Sequence, residues 1–255
     1  MIYRNLSIVS FVLGFFSLIF GSAAVGIVLL LIGVVLLLKH IKGKKKEEKT
    51  SETKTGTGNA ECVSIQKYSK EVVEQIQKRF IAFDVETTGL NRELDRVVQV
   101  GAVLFEEGKP TKRFCTLVNP EMQIPAQVSE INHITDDMVA EAPLEKEALK
   151  ELLGFFGDAA KKKTVICAHN APFDMAFLKN MICRNGMSAQ FRYADTLSLA
   201  RKHIPDLKNY KLATIAENFQ LKTEGAHSAD VDAELCGMIL VQLLPQLLSE
   251  EKSNS

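Results

Sequence analysis

Residues 80–90 read FIAFDVETTGL, a stretch that predicts a β-strand carrying two acids, Asp84 and Glu86, near its end. Successive residues of a strand point to opposite faces, so residues two apart share a face. Asp84 and Glu86 therefore point one way at the end of the strand, while Phe83 and Val85 point the other way, toward the core. On this spacing alone two interpretations of the acids stay open: a carboxylate pair that binds a divalent cation, or the solvent side of an alternating strand.

Composition sets broad limits on the chain. Its 255 residues allow one or two domains, and 31 basic residues balance 31 acidic ones, so there is no global charge bias toward nucleic acid. The balance hides an asymmetry: residues 1–54 hold eight Lys or Arg and three Glu, a net charge of +5, which leaves −5 for residues 55–255. The five cysteines are scattered singly, which is typical of reduced thiols in a cytosolic setting.

The N-terminal region predicts a membrane anchor over residues 1–42. No charged residue occurs from Leu6 to Leu38, a run longer than the roughly 20 residues that span a bilayer as a helix. One long span or a two-span hairpin that turns near Gly21 both fit this length. The basic stretch KHIKGKKK follows the apolar run, and positive charge favours the cytoplasmic side, so both geometries place residue 39 onward in the cytoplasm.

Beyond the anchor, polar composition predicts a flexible linker over residues 43–61, followed by one domain over residues 62–250. The domain begins with a predicted helix over 62–79. Strands are expected at RFIAFDVE and on both sides of a turn at 107–110, a short helix at 125–131, and then alternating helices and strands. An antiparallel meander followed by such alternation indicates an α/β fold, with a mixed sheet flanked by helices.

Two further stretches carry acids beside helix starts. In HNAPFD, residues 169–174, Asp174 falls in the first turn of a predicted helix, where an acid also simply complements the helix dipole, and Asn170 is a candidate cap. In HSADVDA, residues 227–233, His227 precedes the last predicted helix. Asp230 and Asp232 both fall in the early turns of that helix, and spacing does not choose between them.

Taken together, FDVETTG, HNAPFD and HSADVDA resemble, in this order, the three motifs of the DEDDh (DnaQ-like) 3′–5′ exonuclease family, which includes the epsilon proofreading subunit of DNA polymerase III. The similarity covers roughly residues 79–244 and implies a ribonuclease H-like fold. It implies that four acids hold metal ions and that His227 is the general base, and it favours Asp232 over Asp230. The four implied metal ligands, which with His227 form the expected catalytic set, are Asp84, Glu86, Asp174 and Asp232.

The resemblance also implies two divalent cations, Mg²⁺ or Mn²⁺, with Asp84 bridging both, and release of nucleoside 5′-monophosphates from DNA. An RNA-directed exoribonuclease and a non-catalytic nucleic-acid-binding module are the alternatives. The expected substrate contacts are Glu86, Thr87, Leu90, Asn170 and Phe173. Each of the last two has a structural alternative, since Phe173 could be core and Asn170 could cap its helix.

The expected partners and location follow from the same features. Nucleic acid with a free 3′ end is the expected substrate, and replication or repair proteins are further candidate partners. The membrane would be contacted through residues 6–38, which places the protein at a bacterial membrane with its catalytic domain in the cytoplasm. Asp195, in the stretch DTLSLAR, is expected to have a structural role near the site.

Overall fold

The computed structural model describes residues 58–221 and 228–253, apart from the side chains of the last few residues. The chain divides into two units, Met1–Thr55 and Gly56–Ser255, and the fold below is that of the second unit. The predicted anchor over 1–42, most of the predicted linker over 43–61, and His227 lie outside the described residues.

Six strands in the described part of the chain form one mixed sheet in the order β1-β6-β5-β2-β3-β4. Only β3 runs against the others, because β2–β3 and β3–β4 pair antiparallel whereas β1–β6, β6–β5 and β5–β2 pair parallel. The predicted meander of β2, β3 and β4 is therefore present. The strands are β1 Asn59–Ser64, β2 Arg79–Thr87, β3 Val97–Glu106, β4 Lys109–Leu117, β5 Val165–Ala168 and β6 Ser188–Asp195.

Helices cover both faces of this sheet. They are α1 Lys70–Lys78, α2 Ala126–Asn132, α3 Asp136–Val139, α4 Glu145–Phe156, α5 Ala171–Arg184, α6 Thr196–His203, α7 Leu212–Asn218 and α8 Ala229–Ser253. The predicted alternation of helices and strands after the meander is present, and the fold is the expected α/β arrangement with a mixed sheet.

The side chains of β2 alternate between two hydrophobic cores, one on each face of the sheet. Ile81, Phe83 and Val85 pack with apolar residues of α4 and α5 in one cluster. Phe80 and Ala82 point to the other face, where they pack with residues of α1, α6, α7 and α8. Asp84 and Glu86 point to this second face, which α8 covers. The interpretation of these acids as the open solvent side of an alternating strand is therefore wrong.

The start of the domain differs from the prediction. Residues 59–64 form β1, which pairs in parallel with β6, and the helix begins only at Lys70, where the Ser69 side chain accepts a hydrogen bond from Val72 N at 3.5 Å. A helix over the whole of 62–79 is therefore wrong, and residues 59–61 of the expected linker belong to the sheet. β1 gains its strand conformation from β6, a partner more than 120 residues away along the chain.

Helix α8 is the longest helix of the described chain and anchors the second core. By length and composition alone, its segment Ala229–Ser249 is the one described helix that could cross a membrane. Its apolar side chains are used elsewhere, since Leu235, Ile239, Leu240 and Leu243 are buried in the cluster with the sheet. This packing is that of a core helix, as expected for a predicted domain helix.

Candidate active site

Three carboxylates meet where α8 crosses the end of β2. Asp84 and Glu86 lie on the same face of the strand, and Asp232 approaches them from the helix. One oxygen from each acid can be chosen so that all three lie within 4.8 Å of one another. A cluster of carboxylate oxygens of this size is the ligand set preferred by hard divalent cations such as Mg²⁺ and Mn²⁺.

The structure separates Asp230 from Asp232, which spacing could not do. Asp230 faces away from the cluster toward β4, where its Oδ2 accepts a hydrogen bond from Arg113 Nη1 at 2.7 Å, and it also accepts one from Ser228 Oγ at 2.6 Å. Although burial raises the pKa of Asp230, the bonds from Arg113 and Ser228 outweigh it and lower the pKa. Asp230 and Glu234 thus both form ion pairs with Arg113 at the surface. Asp232 is the acid of α8 that lies beside Asp84 and Glu86.

Asp174 approaches from the opposite layer, in the first turn of α5. The residue is 3% exposed, and its Oδ1 accepts a hydrogen bond from Val85 N at 3.2 Å, which ties it to the strand between Asp84 and Glu86. Asp174 also lies close enough to Asp84 to raise the pKa of that acid. The helix dipole therefore does not account for this buried carboxylate by itself, because the side chain points to β2.

The start of α5 is held in place by Asp195, at the end of β6. Asp195 Oδ1 accepts hydrogen bonds from Ala171 N at 3.1 Å and from Leu197 N at 3.2 Å, so one carboxylate caps α6 and fixes the first residue of α5. The expected structural role of Asp195 agrees with these contacts. Asn170 occupies the cap position of α5 with φ 63°, but its side chain makes no cap hydrogen bond. The helix-cap alternative for the Asn170 side chain is therefore wrong.

The acids of the cluster favour their neutral, protonated forms, because their pKa values are raised. Burial is the main cause that raises the pKa of Asp84, followed by repulsion from Asp174, Glu86 and Asp232. Burial likewise raises the pKa of Asp174, and burial together with Asp232 raises that of Glu86 to about 7. Crowded, partly desolvated carboxylates resist ionisation unless protons or cations compensate their charge. The donor set therefore fits divalent cations, as four carboxylates would balance two such ions.

Asn132 is a neighbour of the site to which the sequence alone assigned no role. It is a buried polar residue at the end of α2, its Nδ2 donates to Thr87 O at 3.5 Å, and its side chain lies close enough to Glu86 to affect the pKa of that acid. Its contact with Glu86 lowers the pKa of that acid and opposes the effect of burial. The only signal in the sequence was its position in the stretch INHITDDMV, which resembles the family.

Beyond the acids, two of the expected substrate contacts share one cleft. Leu90 and Phe173 line a cleft of about 400 Å³ together with Arg92 and Pro172. Leu90 is 86% exposed, so its side chain is open to a ligand in the cleft. Phe173 is half-buried and its ring lies 4.9 Å from that of Phe177, so its inner edge packs on the core while its outer edge lines the cleft.

Asn170 is exposed at the start of α5, two residues before Pro172, which lines the cleft. Thr87 is buried, and its Oγ1 donates to Gly89 O at 2.6 Å, which tightens the turn after β2. The expected contacts thus divide into exposed side chains at the cleft and a buried threonine that shapes the chain beneath it. His227 lies outside the described residues, so its distance from the acids is not part of this geometry.

Comparison of the sequence with known protein families identifies one family to which the chain belongs. The family model described as "RNase_T: Exonuclease" matches residues 81–240, a range that begins in β2 and ends in α8. It spans all four acids, from Asp84 to Asp232. The chain belongs to this exonuclease family. The resemblance seen in the three motifs is therefore confirmed over most of the described domain.

Relatives of this exonuclease family differ greatly in length. The chain is 40% identical over 161 residues to the DNA polymerase III subunit epsilon of Treponema pallidum, covering 62% of this chain and 72% of that protein. It is 37% identical over 172 residues to the PolC-type DNA polymerase III of Caldanaerobacter subterraneus subsp. tengcongensis, covering 68% of this chain. The chain spans only 12% of the length of that polymerase.

Solved structures agree with the fold. Exonuclease I of E. coli in complex with a dT13 oligonucleotide aligns with 68% of this chain and 43% of its own, with a TM-score of 0.59 and 18% sequence identity. At this identity the likeness concerns the fold, which is the ribonuclease H-like arrangement expected from the sequence.

Proposed function

We propose that the chain is a metal-dependent 3′–5′ exonuclease that hydrolyses the phosphodiester bonds of DNA and releases nucleoside 5′-monophosphates. The observation that carries the proposal is the meeting of Asp84, Glu86 and Asp232 at the end of β2, in a domain of the exonuclease family. A module that only binds nucleic acid would have no need for crowded acids whose pKa values are raised by their own burial and repulsion.

Two divalent cations fit the cluster. Asp84, Glu86 and Asp232 would hold one of them, and Asp84 together with Asp174 would hold the second, as the family resemblance implies. When bound, such a pair supplies orientation of the attacking water and stabilisation of the charge that develops on the phosphate and the leaving oxygen. The contact between Val85 N and Asp174 would keep the two sides of the cluster in register, because it joins α5 directly to β2.

The protein itself would position the 3′ end and handle the proton. Leu90 and Phe173 would hold the terminal nucleotide in the cleft that they line, with Asn170 at its edge and the backbone of Glu86 and Thr87 near the 3′-hydroxyl. His227 would accept the proton from the attacking water, since an imidazole with a pKa near 6.5 is an effective base around neutral pH.

DNA is the proposed substrate because the relatives above are DNA polymerase III proteins, one an epsilon subunit and one a polymerase of the PolC type. Turnover on matched single-stranded DNA, duplex DNA and RNA oligonucleotides labelled at the 5′ end tests the assignment. We expect faster stepwise shortening of the DNA from its 3′ end. Faster shortening of the RNA would replace the proposal with an exoribonuclease.

A pair of neighbouring acids on α8 offers a matched test of the site. We expect Asp232→Asn, in the full chain purified in detergent, to lose activity by about 10³-fold or more with Mg²⁺ or Mn²⁺, because it removes a carboxylate that would stabilise the transition state through a bound ion. Asp230→Asn should keep most of the activity, because that acid pairs with Arg113 on the surface. Equal activity of the two variants would contradict the assignment.

We further propose that residues 1–42 anchor the enzyme to a bacterial membrane, with the exonuclease domain in the cytoplasm and residues 43–58 as a tether. The charge-free run over 6–38 and the basic stretch that follows it support this proposal. Membrane fractionation of cells that produce the full chain, followed by protease treatment of inverted and right-side-out vesicles, tests it. Cleavage of the domain only in inverted vesicles is expected, and recovery of the protein in the soluble fraction would contradict the anchor.

A further inference from the structure

We propose that Gln99 and Gly101 of β3 are positioning residues that set where Asp232 stands relative to Asp84 and Glu86. The inference deepens the proposed function, because it names residues that would control the geometry of the same site. It rests on that function only for the role of the cluster in hydrolysis.

The register of the sheet places both residues beside the acids. In the antiparallel pair of β2 and β3, Gln99 is the partner of Glu86 and Gly101 is the partner of Asp84. Directly opposed residues of neighbouring strands project from the same face of a sheet. Gln99 and Gly101 therefore lie on the face that α8 covers, one strand away from the carboxylates.

Gly101 lets the start of α8 rest on the backbone of β3. A Cβ atom at this position would overlap with the carbonyl carbon of Ala229 and with the amide nitrogen of Asp230, both of which are main-chain atoms. Backbone cannot rotate away as a flexible side chain can, so any residue other than glycine would push the first turn of the helix off the sheet. Gly101 thus fixes the height of α8 above the strand, directly beside Asp84.

Gln99 fixes the same turn by a hydrogen bond. Its Oε1 accepts from Ala229 N at 2.9 Å, and Ala229 is the first residue of α8. The first four amide groups of a helix lack partners within the helix and need acceptors from elsewhere. Ser228, which directly precedes the helix, donates its hydroxyl to Asp230 Oδ1 at 2.6 Å. The glutamine of the neighbouring strand therefore serves as a cap acceptor for α8.

The hydrogen bond between Gln99 and Ala229 also determines the position of Asp232. It lies three residues after Ala229, which is less than one turn of helix, so a displacement of the first turn reaches its carboxylate almost undiminished. The ligand oxygens of the three acids lie within 4.8 Å of one another, so little displacement is tolerable before one acid leaves the cluster. A misplacement of about 1 Å in a site of this kind can cost about 100-fold in rate.

The experiment compares Gln99→Met, which keeps the length of the side chain but removes the acceptor, with Gln99→Glu, which keeps an acceptor. Gln77→Met, on the exposed face of α1, is the matched control. The full chain in detergent is titrated with Mn²⁺ by calorimetry. We expect about tenfold weaker Mn²⁺ binding for Gln99→Met and an affinity within about threefold of the wild type for Gln77→Met.

Three further readouts separate positioning from a general loss of stability. Amide exchange over residues 229–232, measured in EDTA, should accelerate in Gln99→Met and stay near the wild-type rate in Gln99→Glu and Gln77→Met. On a DNA oligonucleotide, kcat should fall while KM stays within about twofold, because the nucleotide cleft is untouched. Gly101→Ala should abolish measurable Mn²⁺ binding, whereas Gly154→Ala, whose new Cβ meets no atom within 4 Å, should not change it.

The outcomes also distinguish this inference from the proposed function. Wild-type protein that binds Mn²⁺ but degrades no oligonucleotide would overturn the proposed function, and the comparison of Gln99→Met with Gln99→Glu would still decide the positioning role. Unchanged Mn²⁺ affinity and unchanged amide exchange over 229–232 in Gln99→Met would overturn the inference, whatever the activity. Weaker Mn²⁺ binding and faster amide exchange over 229–232 in Gln99→Met, with the exchange restored by Gln99→Glu, would support it.

Discussion

Replacing Glu86 by Gln should stabilise the metal-free protein, because the amide keeps the size of the side chain while removing a charge that the site opposes. Burial and the neighbouring Asp232 raise the pKa of Glu86 from 4.5 to about 7. The folded domain therefore holds this proton more tightly than the unfolded chain. Its stabilising effect is complete below the unfolded pKa of 4.5 and is lost as the pH rises through about 7.

The size of the effect follows from the two pKa values. The difference between 4.5 and about 7 corresponds to about 3 kcal/mol of lost stability once Glu86 is ionised in both states. At pH 8 nearly all of this loss is present, whereas at pH 5.5 it is about 1.4 kcal/mol. Glu86→Gln should therefore be more stable than the wild type in EDTA by about 3 kcal/mol at pH 8, and by roughly half of that at pH 5.5.

Urea unfolding followed by pulse proteolysis of the full chain in non-ionic detergent measures this difference. Glu151→Gln, on the exposed side of α4, is the matched control and should show no such pH-dependent gain. Added Mg²⁺ should narrow the gap, because bound cations stabilise the folded wild type by mass action and depend on its carboxylate. A Glu86→Gln protein that is less stable than the wild type at pH 8 in EDTA, or whose gain is the same at both pH values, would refute the reasoning.

Two glycines give opposite predictions for the same substitution. Gly154→Ala, in the exposed interior of α4, should raise the free energy of unfolding by about 1 kcal/mol, because the new methyl group meets no atom within 4 Å and alanine favours the helix. Gly237→Ala, in α8, should lower it by about 1–3 kcal/mol, because its Cβ would overlap the ring of Phe105 on β3. The same urea assay in detergent measures both changes, and a stabilised Gly237→Ala would contradict the tight packing of α8 on the sheet.

Local patterns predicted the parts of the fold whose partners lie close in the chain. The alternation around Asp84 and Glu86 placed both acids on one face, and the turn between β3 and β4 lies at Glu107 and Gly108, which both have positive φ as a two-residue hairpin turn requires. β1 was missed because its partner, β6, is distant in sequence and the preceding residues are polar. A strand that depends on a remote partner leaves little local signal.

In the site, too, local patterns could not identify the features that depend on distant parts of the chain. Spacing along α8 left Asp230 and Asp232 equal, and only the packing of α8 against β4 separates them, by giving Asp230 the guanidinium of Arg113 as a partner. Gln99 carried no signal either, because its role depends on a helix that begins 130 residues later. The family motifs identified Asp232 because they summarise such packing in many chains. The general base expected at His227 stays a prediction.

The position of β1 has a mechanical consequence if residues 1–42 anchor the protein as proposed. The chain that precedes the domain enters it through β1, which lies at the edge of the sheet and is separated from β2 by β6 and β5. Asn59 N donates to Met187 O at 3.0 Å and Ile65 N donates to Tyr193 O at 2.8 Å, so both ends of β1 are fastened to the segment that contains β6. Tension from such an anchor would therefore be borne first by the hydrogen bonds between β1 and β6. An edge strand can yield to such a pull while the acids on β2 keep their spacing.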